Sequence, residues 1–248
     1  GFAESANRQS TFLRPETRSA VHRRTYLRSA AVAGGTVSLA GCLGVLGNAG
    51  PEGTILDPPE RDLSEAAHPS YGDEMPEFTV PDPITGERIS PSDFEGEQTL
   101  LWTAFYTHCP DGVCPALILR LRRAQEVAAE GGYGDAAAFL AHTFDPERDT
   151  ADVLRDYARQ QGVDLDAGNW HFLRPESYEA GQELLEEQFG LVIEKRPAED
   201  IENLEYQFPH YGLILLVNER GIVERAYPNG ASVDVETVEN DFEQVVTG

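Results

Sequence analysis

Apolar residues follow two different spacings along most of the chain. Continuous apolar runs are typical of strands buried on both faces, and they predict strands at Thr99–Tyr106 and Ala136–Phe144. A short extended piece is predicted at Trp170–Leu173. Two further runs, Leu213–Asn218 and Ile222–Tyr227, flank a Glu-Arg-Gly turn and predict a β-hairpin.

Between these strands, apolar residues recur every three or four positions, which indicates amphipathic helices. The predicted helices run from Val113 to about Glu130, from a cap at Asp149 or Thr150 to Gln161, from Ser177 to Phe189, and from Ser232 towards the end. This order of elements is typical of an α/β, thioredoxin-like fold, with a central mixed β-sheet flanked by helices. We also expect an N-terminal β extension, and a strand followed by an acidic insertion over 191–209.

Two of the three cysteines, Cys109 and Cys114, lie between the first strand and the first helix. Residues five apart on a regular helix point to different sides, so the pair can converge only if the chain turns between them. The intervening Pro-Asp-Gly at 110–112 is a turn signal, and Pro115 suits the first helical position with Cys114 at or beside the N-cap. Amide groups and the helix dipole would favour thiolate there. Two such thiols make either a soft-metal site or a redox-active pair.

The N-terminal region carries export signals. Residues 22–28 read His-Arg-Arg-Thr-Tyr-Leu-Arg, a twin-arginine signature, and the apolar stretch 29–40 is too short to span a membrane. Residues 39–42, Leu-Ala-Gly-Cys, resemble a lipobox. We therefore expect residues 1–41 to be a twin-arginine signal peptide and Cys42 to carry a lipid. This predicts a protein anchored at the extracytoplasmic face of the cell membrane.

The charge of the chain is strongly acidic, with a formal net charge of −24. Residues 42–248 keep 41 of the 43 acidic residues and 13 of the 19 basic ones, and Lys195 is the only lysine. Concentrated salt screens such repulsion, so the composition predicts a halophilic, archaeal source. The chain has no basic stripe to neutralise phosphates, which argues against nucleic acid as a partner.

The stretch at 42–77 is rich in Gly, Pro, Asp and Glu and shows no periodicity. This composition predicts a flexible acidic linker, in which His68 and Met75 would be solvated. Residues 78–248 have a normal length for one domain with its own core.

Several stretches of this predicted domain resemble the Sco/SenC family of membrane-anchored copper proteins, which assemble the binuclear copper centre of cytochrome c oxidase. They occur in the family's order and extend over most of 78–248. The matching stretches are Tyr-Thr-His-Cys-Pro-Asp at 106–111 with Val-Cys-Pro at 113–115, Phe-Asp-Pro-Glu-Arg-Asp-Thr at 144–150, Trp-His-Phe-Leu at 170–173 and Phe-Pro-His-Tyr at 208–211.

The resemblance implies a copper site and a recipient. Copper, as Cu(I) or Cu(II), would be held by Cys109, Cys114 and His210, and the partner would be the copper-centre subunit of an oxidase. Two sulfurs and one imidazole form a competent three-coordinate Cu(I) site. We expect His142 and His171 to pack in the core or at the surface, and His108 to line the site or meet solvent.

Two departures from the family pattern keep a second function open. Four residues instead of three separate the cysteines, with Gly112 as the insertion, and Pro209 replaces the aspartate that commonly precedes the histidine. A cis peptide bond at Pro209 would give weight to a thiol–disulfide oxidoreductase, in which Cys109 attacks and Cys114 resolves. The leading interpretation is a copper metallochaperone without turnover of its own. A peroxidase is disfavoured, because no threonine precedes Cys109 by three residues.

Overall fold

The architecture is known from a computed structural model, which describes residues 50–198, 201, 204–209 and 212–248. The predicted signal peptide, the predicted lipidation site Cys42 and the predicted ligand His210 lie outside the described residues.

The described elements alternate between strands and helices in the predicted order. The strands are β1 (Val80–Pro81), β2 (Arg88–Ile89), β3 (Thr99–Phe105), β4 (Ala137–Thr143), β5 (Trp170–Leu173), β6 (Arg196–Pro197), β7 (Tyr206–Gln207), β8 (Ile214–Val217) and β9 (Val223–Tyr227). The α-helices are α1 (Val113–Gly131), α2 (Ala151–Gln161), α3 (Tyr178–Phe189) and α4 (Val235–Thr247). None of these helices is long and apolar enough to cross a membrane, within the part of the chain that is described.

A five-stranded mixed sheet forms the centre, in the order β5-β4-β3-β8-β9. Strands β3, β4 and β5 are parallel, whereas β8 runs antiparallel to β3 and β9 antiparallel to β8. Strands β3 and β4 are buried along their whole length, and Trp102 stacks on Phe189 at a centroid distance of 4.1 Å. The predicted mixed sheet is confirmed, with Trp102 fully buried in its core, and β1 pairs with β2 as the expected N-terminal β extension.

Helix α1 begins at Val113 as predicted, whereas the start of α4 and the position of Pro115 within α1 differ from the sequence prediction. Helix α4 begins at Val235, three residues after Ser232, because residues 230–232 form a 3₁₀ turn and the Asp234 side chain caps the helix. Helix α1 begins at Val113, so Pro115 is its third residue and not its first. Proline is tolerated there because amides of the first turn have no intrahelical partner.

Residues 50–77 do not form the flexible linker that their composition predicts. The Gly72 amide donates to Val223 and the Met75 amide to Gly221, so this segment covers the open edge of β9. Leu56 and Met75 are buried in the common core. Strand β9 is the reason for this difference. Its edge offers unpaired backbone groups, and a segment with only a few apolar residues is enough to cover them.

Candidate metal and thiol site

The two cysteines meet in the turn between β3 and α1. The Cys114 amide donates to Cys109 Sγ at 3.3 Å, and the Tyr106 amide donates to Cys114 Sγ at 3.4 Å. The Asp111 side chain shapes this turn, because its Oδ1 accepts from the Val113 amide at 3.0 Å and from the Cys109 thiol at 2.9 Å. The predicted convergence of the sulfurs is therefore confirmed.

Gly112 provides the reversal of direction that the turn needs. It is the N-cap of α1 and has φ +79°, a left-handed conformation that L side chains rarely adopt. The extra residue between the cysteines is thus absorbed as a left-handed turn. It leaves the two thiol side chains within hydrogen-bonding reach of each other.

The two thiols differ in exposure and in acidity. They are not joined by a disulfide, and Cys109 is partly exposed whereas Cys114 is fully buried. Burial first, and then the hydrogen bond and the electrostatic interaction with Cys109, raise the pKa of the Cys114 thiol well above its ordinary value. The expectation that the helix start favours thiolate at Cys114 is therefore wrong, because desolvation outweighs the helix dipole.

The described histidines contact other groups than the sulfurs. His142 is fully buried in the core, and burial lowers its pKa to about 3. His171 lies 3.3 Å from Asp82 through Nδ1. The half-exposed His108 contacts the Thr107 hydroxyl at 2.8 Å, and its pKa is lowered by burial first and by Arg148 second. The predicted packing roles of His142 and His171 are confirmed.

The loop at 145–149, which follows β4, reaches the cysteine turn. Asp149 is fully buried and accepts hydrogen bonds from the Thr107 amide at 3.2 Å, the Thr107 hydroxyl and the Thr143 hydroxyl. Burial raises the pKa of Asp149 to about 6, although the hydroxyl donors oppose the rise. Thr150, not Asp149, caps α2 through its side chain. Asp149 thus fixes the residue that lies two positions before Cys109.

The same loop holds the segment that precedes residue 210. Arg148 forms an ion pair with Asp145, and its Nη1 donates to the Tyr206 carbonyl at 3.1 Å. The Phe208 amide donates to the Tyr106 hydroxyl at 3.4 Å. The chain therefore lies beside the cysteine-bearing turn at 208, two residues before the predicted ligand position.

Residue 212 also lies against the element that carries Cys114. A Cβ placed on Gly212 would lie 3.1 Å from Leu117 and 3.3 Å from Val113, so this glycine packs on the first turns of α1. Pro209 lacks the cis peptide bond that would have given weight to the oxidoreductase, since the described residues contain none. No cluster of three metal-binding side chains is found in the described ranges, from which His210 is absent.

Sequence reasoning found the cysteines but missed the residues that support them. Arg148 and Asp149 entered only as part of a family-like stretch and as a possible helix cap. A usable signal was present, because charged residues directly after a buried parallel strand lie at the same sheet edge as residues after its neighbour. The loop after β4 therefore had to lie close to the loop after β3.

The fold and the site together define a thioredoxin-like protein with two neighbouring thiols, one accessible and one buried. Residues 67–247 match the SCO1/SenC family, so the chain belongs to that family. A comparison with curated proteins found no match.

Several solved structures have a similar fold. A SCO1/SenC family lipoprotein from Bacillus anthracis is 19% identical, with TM-score 0.54 and coverage of 69% of this chain and 94% of that one. BsSco, described as a member of the Sco family of cytochrome c oxidase assembly proteins with a disulfide switch, is 22% identical, with TM-score 0.56 and coverage of 72% and 96%. Yeast Sco1 with copper bound is 18% identical, with TM-score 0.55 and coverage of 73% and 90%.

Proposed function

We propose that this protein is a copper metallochaperone that delivers copper to the binuclear copper centre of a cytochrome c oxidase subunit. Cys109, Cys114 and His210 are the proposed ligands. Membership of the SCO1/SenC family, with copper bound in the structure of yeast Sco1, supports copper as the cargo. The recipient is proposed from the family's link to oxidase assembly, which the description of BsSco states.

The observation that carries the proposal is the pair of adjacent sulfurs at an open turn. Cys109 and Cys114 belong to one short stretch of chain, and the Cys114 amide lies 3.3 Å from Cys109 Sγ. Thiolates and imidazole are donors that copper prefers, and two sulfurs with one nitrogen satisfy Cu(I). The contacts of Phe208 with Tyr106 and of Gly212 with α1, on either side of 210 and 211, support His210 as the third ligand.

The location is proposed from the sequence signals. A lipid on Cys42, after twin-arginine export, would hold the domain at the extracytoplasmic face of the cell membrane. The net charge of −24 suits a halophilic source, in which salt screens the acidic surface.

A second function is favoured by the unequal exposure of the thiols. Cys109 is partly exposed and Cys114 is buried beside it, which is the arrangement of an attacking and a resolving thiol. The alternative is therefore an extracytoplasmic thiol–disulfide oxidoreductase. The two roles are compatible, because copper loading needs both thiols reduced.

The test is copper retention in high salt by the reduced protein, in competition with a chelator of moderate affinity. We expect one copper for each wild-type chain. His210→Ala should weaken binding more than the roughly 10–100-fold that loss of an outer partner costs, because a direct ligand is removed. In the His210→Ala variant, Cys109 and Cys114 should still form a disulfide.

The matched control is His68→Ala, since the hydrogen bond of the His68 ring goes to the neighbouring Pro69 carbonyl, at 2.9 Å, and not to the cysteine turn. This variant should retain copper as the wild type does. A wild-type protein that exchanges disulfides but retains no stoichiometric copper would overturn the metallochaperone proposal and leave the oxidoreductase.

A further inference from the structure

The segment that contains β7 has little support from the sheets. Strand β7 pairs only with β6, through the two residue pairs Arg196 with Gln207 and Pro197 with Tyr206. Neither strand belongs to the five-stranded sheet. A two-residue ribbon is not stable alone, so other contacts must fix this segment against the domain.

Arg148 makes two such contacts with Tyr206 and one contact within its own loop. Its Nε pairs with the Asp145 carboxylate, and its Nη1 donates to the Tyr206 carbonyl at 3.1 Å. Its guanidinium also lies 3.7 Å from the centre of the Tyr206 ring. The Tyr206 hydroxyl closes the group by donating to Asp145 Oδ1 at 3.0 Å.

The opposite side of the same loop holds the cysteine turn. Asp149 follows Arg148 directly and accepts the amide and the hydroxyl of Thr107. The adjacent residues Arg148 and Asp149 therefore bind two chain segments, one leading to Cys109 and the other leading from Tyr206 to Phe208. The short loop between β4 and α2 sets the separation of these segments.

We infer that Arg148 is a positioning residue, which acts through Tyr206 and Phe208 to place the segment before residue 210 relative to the cysteine pair. The inference rests on the proposed function, because it concerns the third ligand of that site. Arginine suits the role and lysine does not, since only a planar guanidinium can pair with a carboxylate, donate to a carbonyl and stack on a ring together.

The primary test compares Arg148→Met with Arg159→Met in copper competition at high salt. Arg159 is the matched control, because it also pairs with an aspartate three residues earlier, Asp156, but on the exposed face of α2. Arg148→Met should weaken copper binding about 10–100-fold, the usual effect of losing a group that orients a ligand. Arg159→Met should leave the affinity unchanged, and Arg148→Lys should recover only part of the loss.

A double variant separates positioning from general destabilisation. If Arg148 acts through His210, then Arg148→Met combined with His210→Ala should bind copper no more weakly than His210→Ala alone. The nitrogen coupling in the electron paramagnetic resonance spectrum of the Cu(II) form should also be lost in Arg148→Met, while the sulfur-to-copper absorption remains.

Four results bear against this inference. Additive losses in the double variant, or wild-type affinity with an intact nitrogen signal in Arg148→Met, would overturn it while leaving the metallochaperone in place. A wild type that retains no copper would overturn the proposed function, and the inference would fall with it. If Arg148→Met does not fold, Arg148→Lys decides, because an unchanged affinity in this charged variant contradicts the inference.

Discussion

The two ends of the central sheet each contain a buried carboxylate that fixes a distant chain segment, but the partners differ. At the cysteine end, Asp149 accepts two threonine hydroxyls and one amide. At the opposite end, the donors to Glu224 among the described residues are all N–H groups, from Ile55 at 2.7 Å, Leu56 at 3.0 Å and the Asn218 side chain at 2.6 Å.

The difference between the two ends shows which features stabilise the fold and which belong to the site. A hydroxyl can donate or accept, so the cysteine end tolerates either charge state of its carboxyl group, whereas N–H groups require a permanent acceptor. Within the described residues, only the cysteine end also carries thiols. The carboxylate anchor is therefore structural at both ends, and the thiols give one end its chemistry.

The largest expected effect is at the opposite end. Glu224→Gln places an NH₂ group against the N–H donors that Glu224 now accepts. Backbone amides cannot become acceptors, and the Asn218 side chain cannot turn its oxygen towards residue 224, because Asn218 Oδ1 already accepts from the amides of Arg220 and Ile222. We expect a loss of about 3–4 kcal/mol in the free energy of unfolding, measured by denaturant titration in high salt. Copper retention by the folded protein should not change.

The control for this variant is Glu219→Gln, in the exposed turn between β8 and β9. It should have the stability of the wild type. Equal stabilities for both glutamine variants would show that the Glu224 carboxylate does not hold the 53–56 segment.

The second effect is the pH dependence of Asp149→Asn. The folded pKa of about 6 exceeds the ordinary 3.8, so the protonated form is favoured by folding. The stabilisation that Asp149 contributes to the folded state is therefore present in acid and is lost as the pH rises through about 6. Asparagine does not titrate, so the variant should gain about 2–3 kcal/mol relative to the wild type between pH 4 and pH 7.5.

This is measured as the free energy of unfolding of both proteins across that pH range. The introduced amide side chain can still accept from the Thr107 amide, and a threonine hydroxyl can accept from its NH₂ group. Parallel pH profiles for the two proteins would contradict the prediction.

The smallest effect uses a matched pair of glycines at the two ends. Gly112 and Gly96 have φ of +79° and +80°, and a Cβ on either would meet no atom within 4 Å. Each change to alanine should therefore cost about 1 kcal/mol, from backbone strain alone. Only Gly112→Ala should also alter copper affinity, because it strains the turn between the cysteines. Equal copper affinities in both variants would show that the conformation of the turn does not affect copper binding.

The local features of the site could be predicted from the sequence. Pro-Asp-Gly between the cysteines indicated the turn, and the observed left-handed Gly112 fulfils it. The pKa of Cys114 could not be predicted, because it depends on how completely the sulfur is buried by elements elsewhere in the chain. Met75 was assigned to a solvated linker for a related reason, since composition does not reveal that β9 has an edge to cover.

The sequence by itself determined the types and order of the elements, the pairing of the two thiols at a turn, and the acidic character of the surface. These follow from periodicity, turn chemistry and residue counts, which are local properties. Only the tertiary structure decided that Asp149 binds Thr107, 42 residues away, that Arg148 binds Tyr206, 58 away, and that Phe208 meets Tyr106, 102 away. The physical reason is that such contacts depend on which strands are neighbours in the sheet, and no local pattern contains that information.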